Sequence, residues 1–373
     1  MAGIYIHIPF CKQACHYCDF HFSTSLTYKA ELIQALIQEI KLQKNFLNGE
    51  TIETIYFGGG TPSLLKSEEV NLLINTIAEL HTVASDAEIT LEANPDDLSP
   101  QKLKELKHTP VNRFSIGIQS FFDDDLTWMN RIHRSAEAEN CVKRAQDAGF
   151  ENITVDLIYG YPLLTDQKWN YNLDKVFELQ IPHISAYSMT VEPRTALASF
   201  IKNKKQAPMN DEQSSEQFIK LMGAMRDHGF EHYEISNFSL LGHYSKHNTN
   251  YWKGVKYLGI GPSAHSYDGE KRQWNAANNA KYIQSIDKKT IPAEIEILTE
   301  HNRLNEYIMT SLRTQWGLDL DHLNMLAKGA SDQLLKEAVE FFDKEWILQK
   351  DQIIYLTQPG KLYADHIASG LFF

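Results

Sequence analysis

IYIHIPFCKQACHYC, residues 4–18, decides the fold, because it joins an apolar strand directly to three closely spaced cysteines. Cys11, Cys15 and Cys18 stand at positions i, i+4 and i+7 of one short loop. Three soft thiolates on such a loop can wrap one iron–sulfur cube. Three ligands for four irons leave one iron open, and an open metal position is where a substrate or cofactor binds. The loop therefore predicts a catalytic-type 4Fe–4S cluster.

Zinc is the competing interpretation of these cysteines. A structural zinc site usually has four ligands in paired short spacings, and the sequence contains no second Cys-x-x-Cys pair. The fourth cysteine, Cys141, belongs to an apolar helical stripe with Ala138, Val142 and Ala145, which indicates a small core residue. We therefore favour the cluster, whose open iron can chelate S-adenosylmethionine (SAM) and pass it one electron.

Composition sets limits on the class of protein. The chain has 373 residues, of which 43% are hydrophobic and 23% charged, as in an ordinary globular protein. No apolar run approaches the ~20 residues that span a bilayer, and the N-terminus lacks the features of a signal peptide. We expect a cytoplasmic protein. A net charge of −12 disfavours extended nucleic-acid binding.

Short apolar strands alternate with amphipathic helical patterns in the first half of the chain. About six strand–helix units imply a parallel sheet with right-handed crossovers. Such a sheet forms either an open doubly wound fold or an incomplete barrel, with the site at the C-terminal ends of the strands. The strand-like segments are 3–8, 54–57, 88–92, 114–119, 154–158 and 184–190.

The sequence divides into three parts. Residues 1–200 carry the strand–helix units, and residues 201–290 form a connector followed by a Gly-, Asn- and aromatic-rich region. Residues 291–373 predict a small helical unit that ends in a hairpin with its turn near Lys350 and Asp351.

Four further motifs overlap or directly follow predicted strands: GGGTP at 58–62, LEANP at 91–95, SIGIQSF at 115–121 and VDLIYGYP at 155–162. Together with YIHIPFC at 5–11, they resemble the oxygen-independent coproporphyrinogen III oxidase (HemN) group of radical SAM proteins, over nearly the whole chain. This resemblance implies a partial (β/α)6 barrel with a small α+β C-terminal domain.

The resemblance also implies which residues bind the cofactors. Cys11, Cys15 and Cys18 hold the 4Fe–4S cluster. For one arginine of the family, the local alignment allows either Arg131 or Arg134. Glycines allow close approach of backbone to ligand, and a buried aspartate needs a partner. The implied SAM contacts are Tyr5, Tyr17, Gly59, Gly60, Thr61, Glu92, Gln119, Arg131 and Asp156.

HNTNYW at 247–252 matches the HNxxYW signature of the heme chaperones (HemW type) within this group. A neutral imidazole is a good iron ligand, so His247 is the candidate heme ligand and His265 a second one. A structural histidine bonded to backbone is the alternative for His247. The resemblance implies heme as cargo, delivered to heme-requiring acceptor proteins such as membrane-bound respiratory enzymes. It leaves a homodimer open.

Two other functions stay open from the sequence. One is coproporphyrinogen III oxidation, but the oxidases carry a further cysteine where this chain has Phe20, and they have a longer segment before the cysteines. Both features argue against that activity. The other is RNA modification, which the net charge of −12 disfavours.

Overall fold

The computed structural model describes all 373 residues, and a twelve-stranded sheet with a parallel centre forms its main body. The first six strands pair in sequence order, each parallel to the next. Each strand predicted in the first half overlaps one of them, so this prediction is confirmed. They are β1 (Ala2–Ile8), β2 (Ile52–Gly59), β3 (Val83–Ala93), β4 (Arg113–Gln119), β5 (Ile153–Tyr159) and β6 (His183–Ser188).

Helices connect these strands and cover one face of the sheet. Leu32, Leu36 and Ile40 of the first helix are fully buried, as their helical spacing predicts. Cys141 is also fully buried, and its thiol donates a hydrogen bond to the Ala138 carbonyl oxygen, which confirms it as a core residue. The helices are α1 (Lys29–Leu42), α2 (Ser67–Leu80), α3 (Pro100–Leu106), α4 (Asp123–Trp128), α5 (Ser135–Asp147), α6 (Asp166–Glu178), α7 (Ala196–Lys202) and α8 (Asp211–Asp227).

Successive side chains of a strand point to opposite faces of the sheet. The helices cover one face, and we call the other the open face. In β1, Ile4 and Ile6 are fully buried in the core under the helices, whereas Tyr5 and His7 line a cavity on the other face. β1 and β6 are not paired with each other, so the barrel stays open. The fold is the predicted partial (β/α)6 arrangement with a central parallel sheet.

Residues 229–297 add strands at both ends of this sheet. β7 (Glu231–Glu234) and β8 (Asn237–Ser239) extend it antiparallel beyond β6. Helix α9 (Lys246–Trp252) then leads to β9 (Lys256–Ile260), which lies parallel to β1. The sheet ends with β10 (His265–Tyr267), β11 (Lys271–Asn275), helix α10 (Asn279–Asp287) and β12 (Ala293–Ile297).

The sequence did not predict these added strands, because segments of three to five residues with mixed polarity show no clear alternation. Through their pairing with β1 and β6 they join residues on both sides of the boundary predicted at residues 200 and 201 into one sheet. The division into residues 1–200, 201–290 and 291–373 stays a prediction.

A smaller unit with its own antiparallel sheet forms the C-terminal part. It has a separate hydrophobic cluster of 15 buried residues, and its hairpin turns at Asp351 (φ 54°), as predicted. No helix of the protein is long and apolar enough to cross a membrane. The elements are α11 (Glu300–Leu312), β13 (Leu318–Asp319), α12 (Leu320–Leu326), α13 (Ala330–Glu337), α14 (Val339–Asp343), β14 (Ile347–Lys350), β15 (Ile353–Leu356) and α15 (Ala364–Gly370).

Candidate cofactor and heme site

The three clustered cysteines open into one cavity of about 420 Å³ at the C-terminal ends of the parallel strands. Cys11, Cys15 and Cys18 are half-buried free thiols that all line it. The Cys11 backbone N–H donates to the Ser23 carbonyl oxygen at 3.0 Å, which ties the start of the loop to the segment that follows it. We call this space the cofactor cavity.

Two side chains donate hydrogen bonds to the thiol sulfurs. Arg131 Nη1 lies 3.4 Å from Cys15 Sγ, and Thr61 Oγ1 lies 3.5 Å from Cys11 Sγ. Arg131 also donates from Nη2 to the Gly117 carbonyl oxygen at 2.7 Å, so its guanidinium is fixed at the end of β4. Donors of this kind stabilise thiolates, which are the form that binds iron.

The structure brings Arg131, and not Arg134, to the cofactor cavity. Arg134 is exposed on the surface, where its Nη1 donates to Thr127 Oγ1 at 2.7 Å. Of the two arginines that the sequence left open, Arg131 is therefore the one that can contact a ligand there.

The three cysteines of the loop line one shared space, which suits a cluster. In a 4Fe–4S cube each thiolate binds a different iron, so the thiolates stand apart around a shared space. Burial raises the pKa of the Cys18 thiol to about 12, and iron binding would release this proton.

Gly59 and Gly60 let the backbone after β2 pass close to the cysteine loop. A Cβ at Gly59, where φ is 106°, would lie 2.5 Å from the His7 ring. A Cβ at Gly60 would lie 2.7 Å from the Phe10 carbonyl oxygen. Both glycines and Thr61 line the cofactor cavity, so larger side chains would displace its wall.

Two half-buried carboxyl groups lie on the same cavity. Glu92 Oε1 accepts from the Tyr56 hydroxyl at 2.9 Å and its Oε2 accepts from Gly59 N–H at 3.2 Å. Asp156 accepts from the Ser115 hydroxyl at 3.3 Å. Burial raises the pKa of Glu92 to about 7 and that of Asp156 to about 6. A cationic ligand beside them would restore their charged forms.

Gln119 and Tyr17 complete the predicted set in the cofactor cavity. Gln119 has a positive φ of 70°, at the point where the register between β4 and β5 shifts. With this backbone conformation, the Gln119 side chain lies in the cavity lining. Tyr17, between the last two cysteines, packs against the hydrophobic core with part of its surface.

A second, larger cavity of about 790 Å³ adjoins the first on the open face of the sheet. We call it the aromatic cavity. The structure places Tyr5 here and not in the lining of the cofactor cavity. Four residues line both cavities and form the boundary between them: Asp19, Phe20, Glu92 and Tyr187.

His247 enters the aromatic cavity from the first turn of α9. Its Nδ1 shares a hydrogen bond of 2.8 Å with Thr54 Oγ1, and its ring stacks on Tyr56 with centroids 5.0 Å apart. Burial, with the nearby charge of Arg113, lowers its pKa to about 4. The imidazole is therefore neutral at pH 7, and its Nε2 has no hydrogen-bond partner in the protein.

The start of α9 is held in place by Glu88 of β3. The two oxygens of this carboxylate accept from the backbone N–H of Lys246 at 2.9 Å and of His247 at 3.0 Å. The predicted alternative, a histidine bonded to backbone, does not describe the ring, whose bond goes to a side-chain hydroxyl.

Three other histidines line the aromatic cavity. Both nitrogens of His7 are used, by the Tyr5 hydroxyl at 3.2 Å and the His21 carbonyl oxygen at 2.9 Å. His21 Nε2 pairs with Asn279 at 2.8 Å. His265 stacks on Trp274 with centroids 6.1 Å apart, and its side chain makes no hydrogen bond.

Comparison with known proteins agrees with this arrangement. A model of the radical SAM superfamily matches residues 5–176, and a model of the HemN C-terminal domain matches residues 298–363. The heme chaperone HemW of Bacillus subtilis is 35% identical over 98% of both chains. That of Lactococcus lactis is 32% identical over 95% of this chain and 93% of its own. The chain belongs to the HemW heme chaperone family.

A solved structure supports the fold of this HemW family member. Coproporphyrinogen III oxidase (HemN) from Escherichia coli superimposes with a TM-score of 0.85, over 100% of this chain and 90% of its own, at 22% identity. The radical SAM superfamily implies a 4Fe–4S cluster and SAM. When bound, the cluster supplies an electron for SAM chemistry. The cysteine loop and the two carboxyl groups fit this pair of cofactors.

Sequence reasoning missed several residues of the site in this HemW family member. Asn94 joins the two thiol donors, because its Oδ1 accepts from Arg131 at 2.6 Å and its Nδ2 donates to Thr61 at 3.3 Å. It stands in the LEANP motif, which was a usable signal. Tyr187 and Arg313 line the cavities from distant parts of the chain, and no motif marks them.

Proposed function

We propose that the protein is a heme chaperone that binds heme in the aromatic cavity and passes it to heme-requiring acceptor proteins. The observation that carries the proposal is the neutral His247 imidazole, whose Nε2 is free while Nδ1 is held by Thr54. A hydrogen bond to the second ring nitrogen is the usual way to orient a histidine that ligates a metal.

The walls of the cavity suit a porphyrin. Tyr56, Tyr251, Trp252 and Tyr257 all line it. Aromatic faces bind flat conjugated rings through apolar contact and offset stacking. Tyr5, predicted as a SAM contact, extends the same wall by stacking on Tyr56 with centroids 6.1 Å apart.

His265 is the second candidate ligand. It stands on β10, lines the same cavity as His247, and its imidazole is free of hydrogen bonds. Iron in heme has two axial positions, so both histidines can be tested as ligands.

In the cofactor cavity, Cys11, Cys15 and Cys18 would hold the cluster. Glu92 would face the ammonium group of SAM and Asp156 its ribose. The remaining contacts that we assign to SAM are Tyr17, Gly59, Gly60, Thr61, Gln119 and Arg131, all of which line this cavity.

Delivery to acceptors forms part of the proposal. We expect the acceptors to include membrane-bound respiratory enzymes, reached through protein contact, and we place the protein in the cytoplasm. A reducing compartment keeps Cys11, Cys15 and Cys18 as thiols that can bind iron. A homodimer is a further proposal, which size measurement with and without SAM would test.

The test is an anaerobic hemin titration of the cluster-reconstituted protein, followed by Soret absorbance. We expect saturable binding at low stoichiometry, with a shifted Soret band that His247→Ala removes or alters. His108→Ala is the matched control, because His108 is an exposed histidine outside both cavities. Absence of saturable binding in the wild type would reject the proposal.

The two alternative functions are tested in the same preparation. Conversion of coproporphyrinogen III with SAM and reductant would support an oxidase. Salt-sensitive binding of tRNA would support RNA modification. The relatives named above favour neither.

A further inference from the structure

The aromatic cavity contains a single arginine or lysine side chain, Arg313, and three carboxyl groups. Arg313 is therefore the one permanent cation of the cavity. We propose that Arg313 is a carboxylate-binding subsite that takes a propionate group of the porphyrin. This inference rests on the proposed heme binding.

The backbone of Arg313 is held where the C-terminal unit meets the edge of the large sheet. Arg313 is the C-cap of α11, and its carbonyl oxygen accepts from the Ile235 N–H at 3.0 Å. Two residues on, the Gln315 N–H donates to the Tyr233 carbonyl oxygen at 2.9 Å. These bonds place a side chain of the C-terminal unit in the wall of a cavity that the sheet provides.

The guanidinium of Arg313 has an N–H donor that is available to an anion. Its Nη1 pairs with Asp365, but that carboxylate is 80% exposed, and exposed ion pairs contribute little. Its Nε is buried and has no hydrogen-bond partner. Glu234, a buried carboxyl group of the cavity wall, makes no ion pair with it, although the charge of Arg313 partly offsets the burial that raises the pKa of Glu234. A buried donor without a partner is costly, and a ligand carboxylate would satisfy it.

Arg313 lies beside Trp252, the last residue of the helix that carries the proposed iron ligand near its start. The Arg313 guanidinium carbon lies 5.2 Å from the centroid of the Trp252 ring. Trp252 is five residues after His247 on the same helix, and this spacing is roughly 7.5 Å of helix rise. The span is of the same order as that from the iron to the propionate edge of a porphyrin. Arginine binds carboxylates in a bidentate geometry that fixes orientation.

The experiment compares two ligands on three proteins. Hemin and hemin dimethyl ester, which lacks both carboxylates, are titrated anaerobically into the wild type, Arg313→Gln and Arg272→Gln. Arg272 is the matched control, since it pairs with Glu306 outside the cavity lining. We expect Arg313→Gln to weaken hemin binding by about tenfold to a hundredfold and to leave ester binding unchanged.

Wild-type protein provides a test even if Arg313→Gln fails to fold. Its affinity for hemin should exceed that for the ester by a similar factor of about 10 to 100, and this ratio should fall as salt rises. Equal affinities in the wild type, or equal losses for both ligands in Arg313→Gln, would overturn the subsite and leave heme binding intact. If the wild type binds neither ligand, the proposed function itself fails.

Discussion

Cys141 and the loop cysteines differ in what surrounds their sulfur atoms. Cys141 is fully buried among apolar side chains, and its thiol donates to a helix carbonyl oxygen. The sulfurs of Cys11 and Cys15 accept hydrogen bonds from Thr61 and Arg131 and open into a cavity. Only the second environment offers the sulfur atoms hydrogen-bond donors and an open space in which they can reach iron.

We therefore expect the cluster to depend on the loop and not on Cys141. Cys11→Ala, Cys15→Ala and Cys18→Ala should each lose the bound iron and sulfide after anaerobic reconstitution, and the brown colour with them. Cys141→Ala should keep the cluster and lower the free energy of unfolding by about 1 kcal/mol. Iron and sulfide content per chain, with visible absorbance, measures this.

The same cysteine variants should still bind hemin, because His247 lies in the aromatic cavity and not in the cofactor cavity. A folded cysteine variant without hemin binding would show that the cluster supports the heme site.

Among the secondary-structure elements, helix α1 is joined to the added strands and to α10 by Glu39. This residue is fully buried and accepts from Gly261 N–H and Asn275 Nδ2, both at 2.7 Å, and from the Tyr282 hydroxyl. Burial raises its pKa from 4.5 to about 7, so the folded protein holds this proton more tightly than the unfolded chain. The stability that the proton adds is present below pH 4.5 and is lost as pH rises through about 7.

Glu39→Gln should remove this pH dependence. We expect the free energy of unfolding of the wild type, measured relative to Glu39→Gln, to fall by up to about 3 kcal/mol between pH 4.5 and pH 8. Urea denaturation of both proteins across that range gives the difference. Parallel pH profiles would contradict a raised pKa at Glu39.

The position of helix α9 depends on Glu88 of β3. Without this carboxylate the N–H groups of Lys246 and His247 lose their acceptor, and the buried Arg113, whose Nε lies 3.8 Å away, loses its counter-charge. Glu88→Ala should lower the free energy of unfolding by about 1–3 kcal/mol and broaden the Soret band of bound hemin.

Glu88→Gln, which keeps an acceptor oxygen, should recover most of the Soret band. Glu68→Gln is the control on an exposed helix position. An unchanged spectrum in folded Glu88→Ala would show that α9 does not need this anchor to position His247.

The elements that the sequence predicted are those with local signals. The cysteine spacing, the six strands and the stripe of α1 each lie within one short segment. β9 could not be predicted in this way: it pairs with β1 from more than 240 residues away, in the register Gly3 to Tyr257. The aromatic cavity depends on that pairing, since β9 brings α9 and His247 over the open face. Arg313 and Tyr187 were missed for the same reason.

The SAM contact predicted for Tyr5 stays a prediction. Its ring stacks on Tyr56 and lines the aromatic cavity, which shares Glu92 with the cofactor cavity. A motif identifies the strand and the face of a residue, and on this face two cavities adjoin.

In the whole molecule, the two cavities share a wall of four residues. A ligand bound in one cavity can therefore affect binding in the other. Glu92 lines both cavities, and SAM would place a positive charge beside it. That positive charge would favour the ionised form of Glu92 and offset its negative charge, which repels the propionates of heme. Opposite charges on two ligands separated by one shared wall attract each other in a partly buried site.

We therefore expect SAM to tighten hemin binding, by about fivefold or more, and hemin to tighten SAM binding by the same factor. Calorimetric or absorbance titrations of each ligand, with and without the other, measure both factors.

Cys15→Ala, which should lose the cluster and with it SAM, should bind hemin with the affinity of SAM-free wild type. Phe20→Ala should change both affinities, since Phe20 is 67% exposed and lines both cavities. Hemin affinity that is independent of SAM would mean that the shared wall transmits no interaction.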